Sequence, residues 1–107
     1  MANTYKNKVI DLTTTNKTTV YTCPANTTAL IKTIQLTNET GSVNVEVFLE
    51  DVSASSEVEI SHITMSARST ENFAKGTIIL EAEDKLKITA ASANTVTGIL
   101  GILQIDF

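Results

Sequence analysis

"SVNVEVFLE", Ser42 to Glu50, decides the fold. Val43, Val45, Val47 and Leu49 recur at every second position, with Asn44, Glu46, Phe48 and Glu50 between them. Successive side chains of a strand point to opposite faces, so this spacing gathers the four aliphatics on one side; a helix would scatter them around its circumference. The stretch reads as a strand with one face for a core and one for water. Asn38-Glu39-Thr40-Gly41 precedes it and has the composition of a turn, with a glycine free to take a positive φ. Asp51 to Ser56 follows as a small polar loop.

Upstream, Leu30 to Asn38 places Ile34 and Leu36 on one face and Ile31 out of phase with them, so a β-bulge near Lys32 and Thr33 is expected, or else burial on both sides. Thr18 to Cys23 is a short strand broken by Pro24-Ala25-Asn26, because proline supplies no backbone N–H and holds Cys23 extended. In Tyr5 to Leu12, Ile10 and Leu12 share a face with Lys6 and Lys8, so only the second half is built for burial and residues 1–8 are expected as an extended arm. Downstream, Val58 and Ile60 change phase to Ile63 and Met65, a second bulge or bend. Ser69 to Lys75 offers Phe73 alone as a large apolar side chain. Thr77 to Leu80 and then Leu86, Ile88 and Ala90 make two more short strands around the acidic turn Glu81 to Asp84. In the last segment, Thr95 to Phe107, Ile99, Leu103, Ile105 and Phe107 fall on one face, while Leu100 and Ile102 load the other.

These elements predict an all-β chain: a single antiparallel β-sandwich of about eight strands, jelly-roll-like, with residues 1–107 as one domain. The totals agree. A chain of 107 residues supports one core, and 42% hydrophobic with 19% charged residues is a globular composition. Threonine is the commonest residue, and its branched Cβ suits a pleated surface. Trp is absent and the aromatics are three Phe and two Tyr, so the core must be aliphatic.

A formal charge of −4 and scattered lysines oppose binding to a phosphate backbone, so no nucleic-acid partner is expected. No apolar run is long enough for a membrane span, and the first residues lack a signal-peptide core; synthesis in a cytoplasm is the expectation. The sequons at Asn16, Asn26 and Asn38 then read as products of abundant Asn and Thr. One cysteine excludes an internal disulfide framework.

Chemistry is sparse. His62 is the one histidine and sits in the strand Ile60-Ser61-His62-Ile63, with no nucleophile beside it. Cys23 has no nearby activator and reads as a small hydrophobe. The carboxylates of Glu50-Asp51 and of Glu81, Glu83 and Asp84 lie at turns without the ligand spacing of a calcium loop. No catalytic residue, cofactor or metal is assigned, and the chain is read as a non-enzyme.

One resemblance adds a setting. The run Val20-Tyr21-Thr22-Cys23-Pro24-Ala25-Asn26 leading into Thr27 to Asn38 resembles a pattern of small tailed-bacteriophage virion proteins, in which Tyr-Thr-x-Pro-Ala-Gly turns into a strand ending in Asn. Leu80-Glu81-Ala82-Glu83-Asp84-Lys85-Leu86-Lys87-Ile88 is similar to the second half of that pattern, and together they cover most of residues 18–107. Asn26 and Glu83 stand where glycine is usual. The resemblance implies a structural subunit of a capsid, neck, tail or fibre, in homo-oligomers, with the major capsid protein or another virion protein as partner.

The leading expectation is a capsid decoration subunit, located in the virion, with trimers favoured by three-fold positions on a shell. Ile99, Leu100, Ile102, Leu103 and Phe107 are expected to hold copies together, and Ala2, Asn3, Thr4, Tyr5 and Lys6 to dock on the shell. A neck, tail or fibre component is the alternative within the class. A carbohydrate- or receptor-binding module is the alternative outside it, with Phe48 and the Glu50-Asp51 turn as its best platform.

Overall fold

The strand expected at Ser42 to Glu50 runs from Val43 to Asp51 in the computed structural model of the chain, which describes residues 2–106, and Val43, Val45 and Val47 are buried as the alternation requires. Nine strands form among the described residues: β1 (Ala2–Leu12), β2 (Thr18–Thr22), β3 (Thr27–Asn38), β4 (Val43–Asp51), β5 (Ser56–Met65), β6 (Ser69–Asn72), β7 (Ile78–Leu80), β8 (Lys85–Ala90) and β9 (Val96–Asp106). They make two antiparallel sheets. The first has the order β1-β9-β3-β6, with β7 also paired to β3, and the second the order β2-β8-β4-β5. This is the strand arrangement of a jelly roll, in which the chain passes back and forth between two facing sheets and only the β4–β5 hairpin stays within one.

The ninth strand arises because one jelly-roll strand is interrupted. β6 and β7 both pair with β3, at Gln35–Asn38 and at Ala29–Ile31. Between them Asn72 Oδ1 accepts hydrogen bonds from Ile34 N (3.1 Å) and Ala74 N (3.0 Å), and Phe73 N donates to Ile34 O (2.8 Å). A side chain thus stands in for a backbone partner, and Phe73 turns into the core.

Both phase changes read in the sequence are bulges. β3 and β9 change register between Ile31 and Thr33, leaving Lys32 as the extra residue. β5 carries its extra residue at Ile60, opposite the Val47–Phe48 step of β4. A third bulge, at Val20 of β2, is not visible in the alternation. The first two reset the phase so that aliphatics on both sides of them point inward.

Asn26 and Glu83, which stand where the resembling pattern has glycine, both take a positive, left-handed φ, of 56° and 72°. The turns also meet: Cys23 N donates to Asp84 O and Glu83 N to Cys23 O, each at 2.9 Å. Cys23 is fully buried, with Sγ 3.3 Å from Thr27 O, and burial pushes its thiol pKa up. Pro24 therefore ends β2 where the Glu81–Asp84 turn closes over it.

Two expectations need correction. Residues 2–8 do not stand off as an arm: they continue β1, paired to β9 from Ala2↔Asp106 through Lys8↔Leu100. An extended chain beside an open edge satisfies its backbone by pairing, whatever its side chains prefer. Leu100 and Ile102, expected between subunits, are 0% and 3% exposed and belong to the core. Each lies opposite an inward residue of β3, Ile34 and Ile31 respectively, so the second sheet covers them.

Candidate functional site

Register defines the outer face of the first sheet. Tyr5 of β1 pairs with Leu103 of β9, Leu103 with Leu30 of β3, and Leu30 with Ile79 of β7. Directly paired residues point to the same side of a sheet, so the four form one apolar row across four strands. Val9 pairs with Ile99 along one flank, and Ile105 lies between Asn3 and Thr28 on the other. Tyr5 is 81% exposed, Val9 73%, Ile79 60% and Ile99 38%. Between these side chains lie Asn7, Gly101, Thr33 and Gln35, all uncharged. The bordering charges are Asp11, at one end of β1, and Lys32, in the bulge.

The outer face of the second sheet is the opposite case. Glu46, Glu50, Glu57, Glu59, His62, Lys85 and Lys87 lie on it, on β4, β5 and β8. Lys87 Nζ is 2.8 Å from both Glu50 Oε1 and Glu57 Oε1, and Lys17 reaches Glu57 as well. The lysine hydrogen bonds hold the Glu50 and Glu57 carboxyls below their ordinary range. Such a face is solvated by its own ion pairs, each worth little in stability.

Three clusters test for chemistry. His62 Nδ1 lies 3.7 Å from Glu59 Oε2 and 3.9 Å from Glu46 Oε2, with its side chain half exposed on an open sheet face. A hydrogen bond shared with Glu46 raises the Glu59 carboxyl above its usual range. This group has no nucleophile and no enclosing wall. Asp51, Glu81 and Asp84 bring carboxylate oxygens together from two turns, a meeting the sequence could not show. Asp84, 2% exposed, spends Oδ1 on Val52 N and Oδ2 on Glu81 N, both at 3.0 Å, and Asp51 Oδ1 accepts from Ser53 Oγ and Ala54 N. The cluster is a clasp between turns. Phe48 is covered by Lys17 Nζ, 3.9 Å from the ring centroid, so it offers no open platform for a sugar.

A cleft of about 420 Å³ opens between β1 and β2, the neighbouring edges of the two sheets, with Lys6, Lys8, Tyr21, Ile102 and Gln104 among its walls. On its floor Tyr21 Oη donates to Gln104 Oε1 at 2.7 Å. Burial, with the negative potential of Cys23 and Asp106, pushes the Tyr21 pKa up to about 12.

The residues assigned from sequence divide accordingly. Ile99 and Leu103 lie on the outer apolar face; Leu100 and Ile102 do not, and Phe107 is outside the described residues. Asn3 and Tyr5 share that outer face, while Ala2, Thr4 and Lys6 point to the opposite side of β1. Leu30, Val9 and Ile79 were missed. Alternation could have found them as apolar residues out of phase with the buried set.

No known family profile and no curated protein sequence matches the chain. Solved structures do share its fold. A protein of the T13 particle of infectious bursal disease virus aligns at TM-score 0.54 and 9% identity, over 95% of this chain but 30% of that one. The Drosophila NLP-core, described in terms of pentamer formation and histone binding, aligns at TM-score 0.54 and 14% identity over 99% of this chain and all of that one. A subunit of Bacillus endospore appendages, which form disulfide-linked pili, aligns at TM-score 0.53 and 14% identity, covering 98% and 88%. At such identities the likeness is one of fold: the chain is a jelly-roll β-sandwich of the kind that viral capsid proteins use.

Proposed function

We propose that the chain is a non-enzymatic structural subunit of a virion, that it self-associates, and that it decorates an assembled capsid. The observation that carries this reading is the apolar outer face of the first sheet, on a molecule whose second sheet faces outward with ion-paired side chains. A face of this kind is an interaction site. The jelly-roll architecture supports the virion setting, and so do the Val20–Asn38 and Leu80–Ile88 stretches. In this reading the β1 edge, with Ala2, Thr4 and Lys6, docks on the major capsid protein, leaving the outer face to other copies.

The test is addition of the purified protein to undecorated shells, followed by sedimentation and cryo-EM. Saturable co-sedimentation is expected, with density at regular capsid positions, and Thr4→Asp with Lys6→Glu abolishing it. Density confined to a tail, or no binding, would sink the decoration proposal.

A further inference from the structure

We infer that the outer face of the first sheet is covered by the same face of a second copy, in an isologous two-fold pair. This deepens the self-association proposed above and rests on it.

Charge argues for a like partner. Each copy carries −4 formally, so two copies repel unless they meet where the charge is absent. The second sheet presents seven ionisable side chains outward, and the first presents an apolar row framed by Asn, Gln and Thr. Acidic or basic partners find only Lys32 and Asp11 to pair with there, while a second apolar face of the same kind matches the row itself.

The row is also self-complementary. A two-fold axis lying in the interface along the strands, between β9 and β3, sets Tyr5 of one copy over Ile79 of the other, and Leu103 over Leu30. The two most exposed members of the row then bury each other at the flanks, and the two half-buried leucines meet at the centre. Sheets pack face to face about 10 Å apart with strands nearly aligned, which this axis permits.

Edge pairing is the competing way to join copies, and the sequence opposes it. β1 is the long edge of this sheet, and Lys6 and Lys8 lie on its cleft side. An antiparallel β1–β1 pair centred on Asn7 would match Tyr5 with Val9 but would set Lys6 against Lys8 twice, a like-charge contact that disfavours the pairing.

Size sets the affinity. Four strands at about 4.8 Å and seven residues at about 3.4 Å give a footprint of roughly 450 Å². That is below the roughly 800 Å² per partner of a standard interface, so a weak pair whose population depends on protein concentration is expected. An isologous contact closes at two copies, so the pair replaces the trimer suggested by capsid symmetry.

Sedimentation velocity over a concentration series tests this. The protein is expected to pass from the 11.5 kDa monomer to a species of twice that mass. Rising salt is expected to leave the pair intact, since no ion pair holds it. Leu103→Glu should weaken it by roughly 100-fold, because each copy then buries an unpaired charge against Leu30 of the other. The double change Tyr5→Lys with Ile79→Lys touches only exposed side chains and should do the same, with an unchanged circular dichroism spectrum and melting temperature. Val58→Lys, on the other sheet, should have no effect. A monomer at every concentration, a trimer, a pair dissolved by salt, or a pair indifferent to the face variants would each overturn the inference. A pair that forms normally yet fails to bind shells would instead overturn the decoration reading and leave this one standing.

Discussion

Single residues carry backbone demands that composition hides. Glu83 holds φ 72° in the turn that covers Cys23, a conformation that costs an L-residue about 1–2 kcal/mol and glycine little. Glu83→Gly should therefore raise stability by up to about 1 kcal/mol, read as a higher urea midpoint. Gly98 shows the opposite demand. A Cβ there would come 2.1 Å from Gln35 O and 2.6 Å from Leu36 Cδ2, because Leu36 fills the space across from it in β3. Gly98→Ala should cost about 3 kcal/mol or more, since backbone must move to admit the methyl. The same denaturation series checks both substitutions.

Among the elements, β1 has the most ambiguous side chains and a plain structural role. It is long, lacks proline and lies at a sheet edge, which are the conditions for uncontrolled strand pairing. Lys6 and Lys8 blunt that edge. Lys6→Thr together with Lys8→Thr keeps strand propensity and removes the repulsion, so light scattering on mild heating should rise several-fold faster than in the parent. The outer-face variants should not change that rate. β9 illustrates the limit of pattern reading: both its faces are apolar, so alternation divides its residues into two sets without saying which set lies inside.

At the scale of the whole molecule, one hydrogen bond ties the two sheets beside the cleft. Tyr21 of β2 donates to Gln104 of β9, and the phenol keeps its proton to about pH 12 instead of the ordinary 10.0. The unfolded chain releases that proton at the ordinary value. The contribution of Tyr21 is therefore complete below pH 10.0 and is lost as pH rises towards about 12. Urea midpoints measured across that window should fall, and Tyr21→Phe should fall less steeply over it. Loss of the bond should also lower the midpoint of the variant at neutral pH.

Much of this was determined by the order of residues alone. Val43 to Leu49 declared a strand and its inward face, the phase breaks near Lys32 and after Ile60 marked places for a bulge or bend, and Asn26 allowed a left-handed turn. These are local properties, fixed by the alternation of Cβ atoms and the φ that each residue tolerates. The strand order, the burial of Leu100 and Ile102, the pairing of residues 2–8 with β9, and the meeting of Asp51 with Asp84 were decided only in three dimensions. They depend on which hydrogen-bonding partner, often scores of residues away, comes to lie alongside, and on which side of a two-faced strand the opposite sheet arrives.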